Sequence, residues 1–572
     1  MDKTKKAHVS QVAPAGNAMS LSSFNHYEKW APLFLMILTL LLLAPFAAKA
    51  FHMDDPLFIW AAKNIQNHPE NPYGFYVNWY FSQMGMWEVT KNPPLTCYYI
   101  ALIASIFGWG EAALHIAFLI PAIAAVLGTY FLARRLCSKP LLAGVMALGM
   151  PVFLISGTTI MCDMMMLAFW VWAVVLWMRG LDNNEHPALF LSSVMIAMSA
   201  LTKYFGMSLL LLLPCYAIIK KRKIDPLLIY LAIPVMVLLW YQWKTQMLYG
   251  RGLLLDAGDY ATEFRKHQET GSLMQGLIGT AFTGGCLAIV LFYLSFLWSK
   301  RALLIQFIVL IVLMISMAFW PEIKGFPLHG SHGFKWSFMV QFCLAIIAGV
   351  NVLLLAAVVL WKHKADADSV LLCCWIFGTF FFAAFVNWCI NGRSILPIVP
   401  AVAILLVRRM DQMNLLCRNS QILFWPAVPA ICLALFTVHG DFALAGSARQ
   451  AAAQIDSRYG QERGQLWFQG HWGFQYYMEL KGGKIIDRGQ LNFAPGDVVV
   501  IPKNNSFTFS LGDNIAEHRI EFAAFPVRGL VNTMNRASGA GFYSHVFGPL
   551  PFVFGPVPLE LYAILGIDGT SP

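Results

Sequence analysis

Phe51-His52-Met53-Asp54-Asp55-Pro56 stands where a long apolar run, 30–50, gives out. Two adjacent carboxylates at that point are poor membrane anchors, because the residues that anchor a span at its interface are Trp, Tyr, Lys and Arg. Ionisable groups so close to hydrocarbon are costly enough to mark a functional site. A second isolated acid, Asp163 in Met161-Cys162-Asp163-Met164, lies between two later apolar runs. The expectation is one extracytoplasmic cavity faced by these acids, held in place by the remaining spans.

Composition agrees with a membrane setting. Of 572 residues 58% are hydrophobic and 12% charged, and the mean hydropathy is +0.60, a profile of a polytopic membrane protein. The net charge is +10, yet from His439 onward ten Lys/Arg face eleven Asp/Glu. The basic excess therefore lies in short loops between apolar runs, which is a topology signal and not a nucleic-acid patch. The 11 Cys include no C-x-x-C pair, and none follows Cys432, so neither a disulfide framework in the tail nor a structural zinc site is indicated.

Apolar runs occur near 31–50, 112–133, 140–158, 164–178, 187–202, 204–219, 226–243, 273–298, 302–320, 336–361, 369–388, 395–407 and 421–438. A further run, 93–109, opens with Pro93-Pro94 and closes with Gly108-Trp109-Gly110. The positive-inside rule decides its status. If Lys3, Lys5 and Lys6 are cytoplasmic and 93–109 does not cross, then Arg134, Arg135, Arg179, the 220–223 cluster, Lys300-Arg301, Lys362, Lys364, Arg408, Arg409 and Arg418 all fall inside. The expected fold is thus an all-α polytopic membrane domain of about thirteen transmembrane helices. A cytoplasmic segment, 1–29, precedes it; the domain itself spans 30–440 and carries an outer loop, 51–111. An extracytoplasmic C-terminal domain, 441–572, follows. The first span, preceded by the polar, Lys-bearing segment 1–29, is expected to remain uncleaved. The chain is placed in the plasma (inner) membrane, N-terminus inside.

In the tail, 465–468 and 497–501 read as short buried strands and 472–480 as a helix ending at Gly482-Gly483, giving a small α/β unit over roughly 446–530. The aromatic, Gly- and Pro-rich 542–565 either packs on it or lies at the membrane surface.

Several polar groups fall on the outer side. Asp54 and Asp55 suit general-base chemistry at a hydroxyl or amine, although Asp-Pro is also turn chemistry. Asp163 is a further candidate, or an acid favoured by a helix dipole. Lys203, Lys91 and Arg393 are outer cations at span ends, where Lys and Arg are disfavoured; each is either a snorkelling cation or a partner for a lipid phosphate. His52, His329, His332 and His471 show no metal-ligand spacing. No cofactor is expected; a divalent metal is conceivable but unsupported by spacing.

Taken in order, the acidic pair after the first span, Lys91-Asn92-Pro93-Pro94, Asp163 before an apolar helix, Thr202-Lys203 between two spans, and Arg393 ahead of Pro397 and Pro400 resemble the GT-C membrane glycosyltransferases. The likeness is to bacterial relatives of protein O-mannosyltransferases and lipid A aminoarabinose transferases, over about 30–410. The resemblance implies a polyprenyl-phosphate sugar as donor, an extracytoplasmic acceptor (lipid, glycan or protein), usually inversion, and Asp54 as base. It also implies Asp163 as the second-loop acid and Lys203 and Arg393 near the donor phosphate. Asp55 stands where the family has Glu, and Ser394 where it often has Tyr. The competing readings are a polytopic transporter or lipid flippase, and a non-catalytic glycolipid-binding member.

Overall fold

The computed structural model describes residues 26–266, 271–330, 333–413, 415, 422–460, 464–504, 506–512 and 515–570. Lys3, Lys5, Lys6, His332 and Arg418 lie outside the described residues.

Among those described, nine helices are long and apolar enough to cross a membrane, or up to eleven if each of two bent pairs is one span. The pairs are Pro140–Leu148 with Pro151–Gly157, bent by 67°, and Ser272–Cys286 with Ile289–Leu297, bent by 88°. Pro151 explains the first break, since proline cannot donate to the preceding turn. The expected count of thirteen spans is not confirmed. The helix His186–Thr202 has 17 residues. The run at 395–407 falls on the one-turn Leu396–Ile398 and on Val399–Gln412, a helix of 14 residues whose side chains from 399 to 407 are all buried. That run faces protein and not lipid, and it joins Arg393, beside Asp54, to Arg408, beside Asp366. Lys300–Ala318, by contrast, fully buries only Met317, as a lipid-facing helix does. The stretch 93–109 forms the helix Leu95–Phe107 of 13 residues, ~20 Å long and shorter than a ~30 Å hydrocarbon core.

Polar groups gather at two opposite ends of the bundle. The helix Cys162–Asn183 carries Asp163 in its first turn and Asp182 near its end, ~29 Å apart along the axis. At the Asp182 end, Arg135 pairs with Asp182, Lys220 lies 3.7 Å from it, and Arg408 lies 2.9 Å from Asp366. Arg135, Lys220 and Arg408, three of the basic residues assigned to one side by their charge, thus share one end. Asp163, Lys203, Arg393 and Asp54 share the other.

The last apolar run continues unbroken into the C-terminal part as Ala427–Tyr459, 33 residues and ~50 Å long. Beyond it lies a five-stranded mixed sheet in the order Ile515–Phe525, Glu560–Thr570, Val498–Pro502, Leu466–Phe468, Lys484–Ile485. Leu466–Phe468 runs parallel to both its neighbours, and the helix Trp472–Leu480 supplies the crossover between Leu466–Phe468 and Lys484–Ile485. Val498–Pro502 is buried throughout, as a central strand covered on both faces must be. The expected strands and helix appear within a residue of their expected places. The sheet, however, takes in Glu560–Thr570, so the unit does not stop near 530, and 446–459 belongs to the long helix. Trp472–Leu480 packs on that helix and on Asp55–Asn67, which brings the tail onto the acidic stretch.

Candidate active site

The loop after the first span turns sharply at Met53, a buried residue with φ 49°, a left-handed conformation that is uncommon for a side chain of this size. Asp54 then precedes the helix Asp55–Asn67 without a side-chain cap bond, and Pro56 stands in the first turn, where a missing N–H costs nothing. The two carboxylates point to different environments. Asp55 is fully buried: its Oδ2 accepts from His52 N at 2.8 Å and its Oδ1 from Ile160 N at 3.2 Å. Burial pushes its carboxyl up to about 7, against the Lys49 charge and the two backbone donors. Asp54 is partly exposed and accepts from Arg393 Nη2 at 2.8 Å.

Arg393 links two acids. Its Nη1 lies 3.9 Å from Asp163 Oδ2, and Asp163 Oδ1 accepts from Lys203 Nζ at 2.5 Å. The result is an alternating row, Asp54–Arg393–Asp163–Lys203, balanced in charge. Burial works against the Arg393 guanidinium, but the Asp54 and Asp163 carboxylates outweigh it and raise its pKa. Each member sits at an element's end. Asp163 opens its helix, and Lys203 follows the end of His186–Thr202. Arg393 lies in the short helix Gly392–Ile395, capped by Asn391, whose Oδ1 accepts from Ser394 N at 2.9 Å. A π-helical turn, Phe382–Val386, precedes that segment, and such turns often re-aim side chains at functional sites. Asp163 Oδ2 and Arg393 Nε are buried and have no hydrogen-bond partner among the described residues, so the row retains an unused acceptor and an unused donor.

Directly behind it lies a second network that sequence reasoning missed. Lys49 Nζ is 2.5 Å from Asp441 Oδ2, both fully buried. Asp441 also accepts from Thr533 Oγ1 and from the Tyr543 hydroxyl, each at 2.8 Å. Tyr543 in turn lies under the Arg393 guanidinium, 5.7 Å from ring to charge. A signal was available: Lys49 is the one charge between Trp30 and Ala50, and Asp441 the first acid after the last run, each out of place for an apolar span. The aromatic stretch 542–565 therefore packs inward. Phe542 O accepts from Gly392 N at 2.7 Å, and Ile390 O from His545 N at 2.9 Å.

Lys91 is not part of the row. It pairs with Asp256 at 2.7 Å and lies 4.8 Å over the Tyr260 ring. Two cations absent from the sequence-based candidates lie closer to Arg393's segment. Arg265 Nε donates to Asn387 O at 2.6 Å, and Lys324 hydrogen-bonds His545. Burial and the Arg265 charge lower Lys324 to about 8. His52 and His471 are held down to about 4, chiefly by burial, and are neutral at physiological pH. Among the described residues no group of three or more His, Cys, Asp or Glu is placed to hold a metal ion.

Residues 91–243 match the family described as dolichyl-phosphate-mannose-protein mannosyltransferase, a stretch that contains Lys91, Asp163 and Lys203. The match shows the likeness to GT-C membrane glycosyltransferases that the motifs carried. No curated protein matches the sequence. Among solved structures, ArnT from Cupriavidus metallidurans bound to undecaprenyl phosphate is 12% identical, with 83% of this chain and 93% of that chain covered and a TM-score of 0.41. Its apo state gives 13%, 83%, 93% and 0.42. The arabinosyltransferase EmbB from Mycobacterium smegmatis is 13% identical over 88% of this chain and 48% of its own, with a TM-score of 0.29.

Proposed function

We propose that the protein is an integral-membrane glycosyltransferase that moves a sugar from a polyprenyl-phosphate donor to an acceptor outside the cytoplasm. The observation that carries this reading is the Asp54–Arg393–Asp163–Lys203 row at one end of an apolar bundle, two of whose members fall within the matched family stretch. A polyprenyl-phosphate sugar is apolar at one end and charged at the bond to be broken, so the reaction must occur at the membrane surface. Arg393 and Lys203 are placed to meet the phosphate and to stabilise the charge that develops as it leaves. A phosphate that engages Arg393 competes with Asp54 for the guanidinium and frees the carboxylate to take a proton from the acceptor. Asp55, with both oxygens on backbone donors, holds the loop and does not touch substrate.

The topology that goes with this reading has the N-terminus and the Arg135–Asp182 end in the cytoplasm and the Asp54 end outside. Cysteine accessibility at Ser138 and Lys221 then reports inside, and at the exposed Gly258 and Ser457 outside.

The test is transfer of label from radiolabelled polyprenyl-phosphate sugars to membrane extract by purified protein. Native protein transfers label, whereas Asp54→Asn, which keeps the shape but cannot accept the proton, loses about 10²–10⁴ in turnover with donor affinity retained. Uptake of the lipid into vesicles without transfer would assign the protein to the transporters or flippases instead.

A further inference from the structure

Between the outer loop and the C-terminal sheet lies a cleft of about 650 Å³, within the ~300–1,000 Å³ range of small-molecule sites. It takes no part in the Asp54 row. One wall is the face of the helix Asp55–Asn67 that carries Trp60, Lys63, Asn64 and Asn67, positions spaced to share one side of a helix. The opposite wall is the C-terminal unit, with Trp467, Glu479 and Asp487. The floor is the strand Tyr76–Asn78.

The helix Trp472–Leu480 of the C-terminal unit packs on Asp55–Asn67, and the unit is also bonded to the floor and its loop without a ligand. Gln83 N donates to Asp487 Oδ2 at 2.9 Å, Arg488 N to Phe81 O at 2.8 Å, and Gln475 Nε2 to Asn78 O at 2.9 Å. The cleft is therefore preformed, and its shape is a property of the fold.

Its chemistry is selective. Tyr76 exposes 64% of its surface, while Trp60 and Trp467 are half-buried, so three aromatic side chains offer ring surface to one space. The side-chain amides of Gln83, Gln490 and Asn492 make no hydrogen bond among the described residues, and the Asn78 Oδ1, 92% buried with its residue, has no partner. Amides donate and accept from one group, which matches vicinal hydroxyls. The charged groups are one lysine, drawn to Glu479, and two acids. Such a lining repels a phosphate or a polyanion and has no continuous apolar strip for an acyl chain.

We propose that this cleft binds an uncharged oligosaccharide, the glycan portion of the acceptor. Trp60 lies six residues beyond Asp54 and Asn67 thirteen, so the cleft runs from ~9 to ~20 Å from Asp54 along the helix axis. A saccharide held there sits a few sugar units from the base. The assignment of the bound glycan as acceptor rests on the transferase reading; the binding itself does not.

The two are tested separately. Full-length protein in nanodiscs is titrated with neutral trisaccharides of glucose, mannose, galactose and N-acetylglucosamine and with a Ser/Thr-containing pentapeptide, read by tryptophan fluorescence. At least one trisaccharide binds saturably. Tyr76→Ala weakens it about ten-fold, the loss expected of one stacking ring, and Gln490→Ala with Asn492→Ala weakens it as well. Hydrolysis of a polyprenyl-phosphate sugar in the absence of acceptor is the same in these variants as in native protein. Binding with no hydrolysis or transfer by native protein leaves the cleft assignment standing and removes the transferase reading. The cleft proposal is overturned if none of the trisaccharides binds, if binding survives both sets of substitutions, or if the pentapeptide binds in their place and is lost in Tyr76→Ala.

Discussion

Arg393 reaches Asp54 across 339 positions of sequence, its Nη2 donating to the Asp54 carboxylate at 2.8 Å. The same guanidinium faces Asp163 with its other terminal nitrogen. Only a planar fork spans two acids in this way, so Arg393→Lys should not substitute for it. Arg393→Lys is expected to raise the donor KM about ten- to a hundred-fold, corresponding to ~1.5–3 kcal/mol for one charged hydrogen bond. A donor KM equal to native in Arg393→Lys would confine Arg393 to a structural ion pair.

Lys203 carries two roles that a single substitution confounds. Its removal leaves Asp163, which is buried, without its nearest cation, and breaking such a pair costs about 3–5 kcal/mol. Lys203→Ala is therefore expected to lower both yield and donor affinity. Lys203→Ala with Asp163→Asn restores the folded yield, while donor affinity stays low. Full recovery of both would assign Lys203 to charge neutralisation alone.

Lys49 and Asp441 form the deepest ion pair. Lys49→Met alone strands a carboxylate in the core and is expected to destabilise by about 3–5 kcal/mol. Adding Asp441→Asn, which retains an acceptor for Thr533 or Tyr543, recovers part of that loss. A double-mutant cycle on thermal unfolding in detergent measures the coupling, and additive effects would contradict the pair.

Gly473, in the first turn of the helix Trp472–Leu480, lies against the first span's exit. A Cβ there would lie 2.2 Å from the Phe51 carbonyl oxygen, so one backbone must move. Gly473→Ala is expected to cost about 1–3 kcal/mol, as overpacking does, and to lower turnover by shifting the loop that carries Asp54. Native turnover together with a native unfolding midpoint would show that the contact is not rigid.

Asp55 predicts a pH dependence. Its folded carboxyl titrates near 7 and its ordinary value is 3.8, so the folded state holds a proton that the unfolded chain has released. The stability from this difference is full below about 3.8 and is lost as pH rises toward 7. The unfolding midpoint of native protein is expected to carry a component that falls between pH 4 and 7, and Asp55→Asn should lack it. Identical pH profiles for the two would place the Asp55 titration elsewhere.

The sequence by itself determined the membrane setting and the separation of Asp54, Asp163, Lys203 and Arg393 from the basic residues Arg135, Lys220 and Arg408. Hydropathy and Lys/Arg bias are local and additive, so they survive without a fold. The strands and helix of the tail were equally legible, because buried runs of Val and Ile and a Gly-Gly stop act over a few residues. Tertiary structure decided what local patterns cannot hold. Val399–Gln412 is enclosed by protein, and its composition alone does not tell an enclosed helix from a lipid-facing one. Asp54 and Asp55 are neighbours of one chemical type, and only their surroundings separate them: one meets Arg393, the other two backbone N–H groups. Lys49 was hidden inside an apolar run, and its partner Asp441 lies 392 positions away. Ion pairs and clefts between distant segments depend on where the chain returns to, and that is set by packing over the whole bundle.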